Sequence, residues 1–379
     1  MTRTTAIRAL VLAVAWSTAS CSMPAANSHP GGSSTATAVP TTRSVAICLG
    51  QMPSEWSAAG VAHAQTLPSE QFHPQAIDPN QMLAFGFFKT TSEKGVAEVN
   101  LGSGQSQTLT RMASAAAGVV WMTYSDPWLA WLQADSQVDL GDWTVRAINI
   151  RTQEERTLAS SRLANGGNTG ALSFPVSANG YLAWSQPSAN GDELVIYRFD
   201  TGQTSTIDTG RLSSPVIAGD NLIWAKSQAG DTEASFRIAD AKTLQLGETP
   251  TALKVPREMQ YLAGSSDYLV WTESSGSMSA YRFQSRQLSH YSIASEAMDH
   301  PFQFPTVGTH FVAWFTGSKN TVVDLDTGNG FDVDLPSGVL AADRWLLIGR
   351  IQGTKSGAGS TTLSTVDLQK VKGLTSCLH

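Results

Sequence analysis

What this sequence has little of already limits what the protein can be. Charge is sparse: 15% of the 379 residues are Asp, Glu, Lys or Arg, the net charge is −6, and no stretch gathers the basic residues into a patch. A nucleic-acid partner needs a basic face, so that class is excluded. Long apolar runs are missing too. The run "ALVLAVAW" near the start has about eight residues, against roughly 20 for a helix that spans a bilayer. There is no G-x-S-x-G elbow, H-E-x-x-H, C-x-x-C, G-x-G-x-x-G or Walker loop, and the seven histidines are scattered without ligand spacing. No cofactor or metal is therefore expected. An apolar fraction of 41% is nevertheless ample for a large core.

The first 21 residues read as an address. "MTRTTAIR" is cationic, "ALVLAVAW" is apolar, and "STASC" offers small side chains before a cysteine. The segment resembles a bacterial lipoprotein signal peptide, with Thr18-Ala19-Ser20-Cys21 as the lipobox and Thr18 where leucine is usual. That resemblance implies removal of residues 1–20 and acylation of Cys21. Residues 21–43 follow as a lipidated cysteine and a Ser/Thr/Pro/Ala/Gly-rich stretch, too poor in apolar surface to offset its ordering entropy and so a flexible tether. The folded region is expected over residues 44–379, exported to the cell envelope and touching the membrane only through its lipid. Cysteine is scarce, and with Cys21 set aside only Cys48 and Cys377 remain. An even pair in an exported chain suggests a disulfide; two separately buried thiols are the alternative.

What is abundant is a short strand. "MLAF" (Met82–Phe85), "WLAW" (Trp128–Trp131), "YLAW" (Tyr181–Trp184), "NLIW" (Asn221–Trp224), "YLVW" (Tyr268–Trp271), "FVAW" (Phe311–Trp314) and "WLLI" (Trp345–Ile348) recur with last residues 46, 53, 40, 47, 43 and 34 positions apart. Small turns such as "SANG" and "AGDN" precede most of them, and Asn, Asp and Gly suit the positive φ of a tight hairpin. Two alternating apolar/polar runs around a polar turn follow each, as in "VIYRFDTGQTSTI". Each unit thus holds four strands. Seven units over residues 44–379 predict an all-β chain forming a single β-propeller of seven four-stranded blades, its ring closed near the termini. The recurrent tryptophan is expected to fill the wedge between neighbouring blades. "SVAICLG" (Ser44–Gly50) reads as an extra strand, expected beside the last blade with Cys48–Cys377 as a latch.

The pattern from Ser177 to Ile207 resembles the blades of TolB-like and WD-repeat-type propellers, although the Gly-His and Trp-Asp dipeptides of true WD repeats are missing. The resemblance implies a fold and brings no catalytic residue with it. Asp324, Asp326, Asp332 and Asp334 surround a Gly-rich turn and could in principle hold calcium, but the spacing is not that of an EF-hand, and their alternation with apolar residues suggests the solvent face of a hairpin. In a four-stranded blade the loops from second to third strand and from blade to blade share one face. That rule gathers Asp135, Asp139, Asp142, Trp143, Arg257, Glu258, Asp299, His300 and Phe302 on a candidate binding rim. The expectation is a non-catalytic protein-interaction scaffold holding an envelope protein or, second, a glycan. The rival is a glycan hydrolase, which would need carboxylates converging in the central funnel.

Overall fold

The stretch Val176–Leu212 shows how one repeat becomes a blade. Val176–Ala178 folds back on Tyr181–Ser188 through Asn179 and Gly180, both at positive φ (47° and 77°), the backbone a two-residue hairpin demands. Tyr181–Ser188 pairs next with Gly191–Arg198, and that strand with Thr204–Leu212, all antiparallel. Successive side chains of a strand point to opposite faces. Tyr181 and Ala183 therefore enter one apolar layer, and Leu182 and Trp184 the other.

A computed structural model describes residues 41–379 apart from 68–70, 115–116, 136–141, 162–173, 190, 229, 248–252, 257–258, 274–276, 294–302, 317–318, 335–336, 354–358 and 375–379. In chain order come β1 (Thr41–Gly50), α1 (Ser54–Ala62) and β2 (Ala64–Leu67), and then the blades. The first is β3 (Gln71–Asp78), β4 (Leu83–Lys89), β5 (Lys94–Asn100) and β6 (Ser106–Arg111). The second is β7 (Gly118–Ser125), β8 (Trp128–Ala134), β9 (Trp143–Asn149) and β10 (Glu155–Ser160). The third, already described, is β11 (Val176–Ala178), β12 (Tyr181–Ser188), β13 (Gly191–Arg198) and β14 (Thr204–Leu212). The fourth is β15 (Val216–Ala218), β16 (Asn221–Ser227), β17 (Glu233–Asp240) and β18 (Lys254–Pro256). The fifth is β19 (Met259–Gly264), β20 (Tyr268–Glu273), β21 (Met278–Arg282) and β22 (Gln287–Ile293). The sixth is β23 (Gln303–Val307), β24 (Phe311–Phe315), β25 (Lys319–Asp324) and β26 (Asn329–Asp334). The seventh is β27 (Ser337–Ala342), β28 (Trp345–Gly353) and β29 (Gly359–Asp367), completed by β2. The first strand of each blade touches the first strand of the next, and β27 returns to β3, so residues 64–367 close a seven-bladed ring around an axis.

Seven apolar layers lie between the seven pairs of adjacent blades. Trp131, Trp184, Trp224, Trp271 and Trp314 each sit in the layer shared with the preceding blade and are at most 2% exposed. The wedge role expected for them is the one they have. Ile348 takes the same place in the seventh blade. In the first blade the sequence alignment was one residue out: Phe85 faces the second blade, and Gly86 holds the tryptophan position. There the buried ring of Phe72 fills the space, lying 2.8 Å from where a Gly86 Cβ would stand.

One further expectation is corrected by the structure, and three features go beyond the sequence reading. β1 does not lie beside the last blade; it is inserted in parallel between β22 and β26, the outer strands of the fifth and sixth blades. Val45 and Ile47 thereby enter the layer between those blades. The last blade's fourth strand is β2, antiparallel to β29, and Leu374 is buried in the layer between the sixth and seventh blades. The fourth blade's outer strand is β18, more than ten residues beyond β17, and Leu246 in between contributes one bridge to Ala239. Finally, α1 was not foreseen. It packs on β29 and carries Trp56, 1% exposed, edge-on to Phe311 and Phe331 at 5.2 and 5.5 Å between ring centroids. No helix among the described residues is long and apolar enough to cross a membrane.

Candidate functional site

The first strand of every blade faces the axis and is a sheet edge, with a strand partner on one side alone. Proline is tolerated there, and Pro74 and Pro305 lie within β3 and β23 while Pro175 and Pro215 directly precede β11 and β15. Near the face where these strands begin, four of them are bulged. The register slips between Pro74 and Ala76 in β3, Val119 and Trp121 in β7, Met259 and Tyr261 in β19, and Gln303 and Thr306 in β23. A bulge re-aims side chains and breaks the strict alternation of the strand.

Three of these strands, β7, β19 and β23, bring rings to an aromatic cluster at the mouth of the central channel, and Phe174 of a fourth blade joins them. Phe174, just before β11, lies with its ring centroid 5.1 Å from Trp121, 6.2 Å from Tyr261 and 5.6 Å from Phe304. Tyr261 and Phe304 are 5.1 Å apart. The cluster is anchored by Trp121 Nε1, which donates to Pro175 O at 3.1 Å, and by Phe174 N, which donates to Ser214 Oγ at 3.3 Å. Burial pushes the Tyr261 phenol up from its ordinary value, so it stays neutral. Phe304 is 37% exposed and holds φ at +51°, a conformation a bulky side chain rarely adopts. Backbone strain of this kind costs of order 1–3 kcal/mol and concentrates at ligand and switch sites.

Beneath the cluster runs the channel, a cavity of about 490 Å³ walled by the inner strands of the second to seventh blades. Its hydroxyls are tied into the ring itself: Thr123 Oγ1 and Ser177 Oγ are 2.9 Å apart, and Thr306 Oγ1 accepts from Ala341 N at 3.0 Å. Asp343, at the far end, is the one carboxylate lining it among the described residues. Among the described residues, no second carboxylate lines the channel to form the pair, roughly 5–10 Å apart, that glycoside hydrolysis requires. Beside the cluster opens a smaller recess of about 340 Å³ reaching from β3 to β25, with Trp121 and Phe304 on its wall. His73 lies at its edge. Burial, and secondarily the charge of Lys89, lower its pKa, although part of the side chain reaches solvent.

The rim predicted from the loops is only partly placed. Asp139, Arg257, Asp299, His300 and Phe302 lie outside the described residues, as do Cys21 and Cys377. Asp135 and Asp142 are brought together, Asp135 N donating to Asp142 O at 2.9 Å while Gln133 Nε2 donates to Asp135 Oδ1 at 2.7 Å. Trp143 does not belong to a rim: it is 2% exposed and packs between the second and third blades. The aspartates weighed for calcium are engaged separately. Asp324 Oδ1 accepts from Asp326 N, Asp326 accepts from Tyr268 and Arg282, and Asp332 from Lys319 and Thr321. The aromatic cluster itself was missed. Phe304 lies two residues beyond Phe302, which the rule had gathered, but nothing in "VVW", "QYL" or "FQFP" announces a bulge.

No family model matches this chain, and no curated protein matches it. Solved structures do. A prolyl endopeptidase overlaps with a TM-score of 0.51 and 13% identity over 80% of this chain and 47% of its own, so this chain spans about half of that protein. U3-55K overlaps with a TM-score of 0.50 and 12% identity over 81% of this chain and 100% of its own. At such identities the likeness shows the fold alone: a β-propeller.

Proposed function

We propose that this chain is an exported, lipid-tethered propeller of the TolB-like kind that holds an envelope protein on its channel-mouth face without acting on it chemically. The observation that carries the reading is the four-ring cluster of Trp121, Phe174, Tyr261 and Phe304, with Phe304 strained and open to solvent. Aromatic side chains dominate the energetics of protein interfaces because they bury much area for few rotatable bonds. The direction of β1 supports it too. β1 runs parallel to β22 and β26, which end on the mouth face, so Thr41 begins on the opposite one. A tether joining the described chain at Thr41 would therefore enter on the face away from the cluster.

The same reading includes a Cys48–Cys377 disulfide as a latch on the chain ends. Cys48 stands opposite Asn329, and Asn329 Nδ2 donates to Leu374 O at 3.3 Å, which brings the chain to three residues before Cys377. Two alkylatable thiols in folded, unreduced protein would remove the latch. The functional test is capture from detergent-solubilised envelope by the immobilised mature chain, repeated with a Tyr261→Ala/Phe304→Ser bait. A protein retained by the first and lost by the second, and re-bound when purified, is the expected result. Equal retention by both baits, or no retention by well-folded wild type, overturns the proposal.

A further inference from the structure

The channel ends on the face opposite the cluster, and that far end is chemically unlike the mouth. We infer that the channel is a binding site for a monovalent organic cation with an apolar body, an alkylammonium, which enters from the far end. This role does not depend on the protein partner proposed above. At about 490 Å³ the cavity falls within the range of ligand sites, roughly 300 to 1,000 Å³. Ser266 and Asp343, both exposed, mark where it opens.

The walls are apolar in effect. Trp121, Val176, Ile217 and Leu262 line the cavity, and each is only partly buried. Most hydroxyls of the lining residues are engaged within the protein. Thr123 Oγ1 and Ser177 Oγ are 2.9 Å apart, and Tyr124 OH donates to Asp126 Oδ1 at 3.0 Å. Thr306 Oγ1 accepts from Ala341 N at 3.0 Å, and Ser265 Oγ accepts from Tyr268 N at 3.2 Å. A polyol would find few partners there, whereas an apolar body gains with every methylene it removes from water.

Charge at the opening selects the head group. Asp343 has no ion pair among the described residues, and its side-chain hydrogen bond, from Thr309 Oγ1, is long at 3.4 Å. The neighbouring Arg344 is held elsewhere. Its Nη1 donates to Gln369 Oε1 at 3.3 Å, its Nε lies 3.8 Å from Asp367 Oδ1, and its guanidinium stands over the Trp345 ring. The seven hairpin turns that surround the axis on this face all lie among the described residues. They hold Asp78, Asp126, Asp220, Asp267 and Asp343 against Arg344 as the one Lys or Arg. An apolar body filling the channel would take water from one side of Asp343, and a cationic head offsets that loss where an anion would be repelled.

Asp343 also has a local reason to be aspartate. It holds φ at +48°, a region that Asp and Asn enter more readily than other side chains. Asparagine meets that backbone demand without the charge, so Asp343→Asn separates the turn from the site.

The test uses the full mature chain with Cys21→Ser, which needs no detergent, titrated by calorimetry. The probes are butyl-, hexyl- and octylammonium, with octanol and octanoate as neutral and anionic molecules of the same length. Expected is saturable binding of one octylammonium per chain, with affinity rising about fourfold per added methylene. Octanol should bind about fivefold more weakly, and octanoate more weakly still. Asp343→Asn should lower the octylammonium affinity about fivefold and leave that of octanol unchanged. Ser266→Lys, at an exposed turn position, sets a cation at the opening; it should weaken octylammonium similarly and serves where Asp343→Asn disturbs folding. Absence of saturable octylammonium binding overturns the inference. So does equal affinity from butyl to octyl, because the cation is then held on the surface. Octanoate binding as tightly as octylammonium overturns it as well, as does octylammonium binding that neither substitution weakens.

Discussion

The layer between the third and fourth blades and the layer between the sixth and seventh do the same work with different parts. The first is built wholly from the repeat. Trp224 fills it, donates from Nε1 to Asp208 Oδ2 at 2.9 Å, and packs among Tyr181, Ala183, Leu194 and Ile196 of the blade before. The second has Ile348 where that tryptophan would stand, and Trp56, from outside the repeat, sits there instead on a nine-residue helix. Its Nε1 donates to Lys372 O at 2.9 Å, so the chain's last turn is tied to its beginning. The lesson is that a repeat can fill its own seams only where a full unit lies on both sides. Where the ends of the chain meet, the seventh blade takes β2 and the sixth layer takes α1, both from the N-terminal segment.

That contrast can be broken, and the largest effect should come from Trp56→Ala. Removing a ring that is 1% exposed should cost about 3–5 kcal/mol in urea unfolding. A cost under 1 kcal/mol would mean that α1 rides on the seam without filling it. Gly86→Ala probes the other layer that lacks the tryptophan. The added Cβ would stand 2.2 Å from His73 O, so overpacking of about 1–3 kcal/mol is expected. A neutral result would show that Phe72 and β3 can shift, and that this seam is looser than the others. Trp224→Phe, in the repeat-built seam, should cost about 1–2 kcal/mol through lost volume and one lost donor to Asp208.

The smallest effect is a pH dependence in that same seam. Burial alone would raise the Asp208 pKa, but bonds from Lys226 at 2.6 Å and from Trp224 and Thr209 N outweigh it and hold the carboxyl below its ordinary value. A depressed folded-state pKa contributes stability above the unfolded pKa of about 3.9 and loses it as pH falls through the folded value. Denaturation midpoints measured from pH 6 downward should therefore fall in wild type and fall less in Asp208→Asn. Identical slopes would remove Asp208 from the account of the seam.

Much of this architecture was legible because its signals are local. Asn179-Gly180 announces a hairpin by conformational preference alone, and the alternation in "YLAW" sends Trp184 and Leu182 to one side whatever the rest of the chain does. The one misalignment, at Phe85, came where glycine replaced tryptophan and the apolar alternation matched equally well one residue away. The face that carries the aromatic cluster is the one the loop rule had singled out. The residues of the cluster were not legible. Trp143 looked like a rim residue because it ends a polar loop, yet it begins a strand whose inward face is core.

By itself the sequence determined that the chain repeats a four-stranded unit seven times and where the large rings of each unit lie, since period-two alternation and tight turns are set by neighbouring residues. Only the tertiary structure decided three things. It placed β1 between the fifth and sixth blades rather than against the last, it chose β2 to complete the ring, and it bulged β7, β19 and β23 so that Trp121, Tyr261 and Phe304 meet Phe174 across the axis. The reason is common to all three. An outer strand edge accepts any extended segment that reaches it, and a bulge is fixed by the packing of neighbouring blades around the axis, so both are settled by residues far apart in the chain.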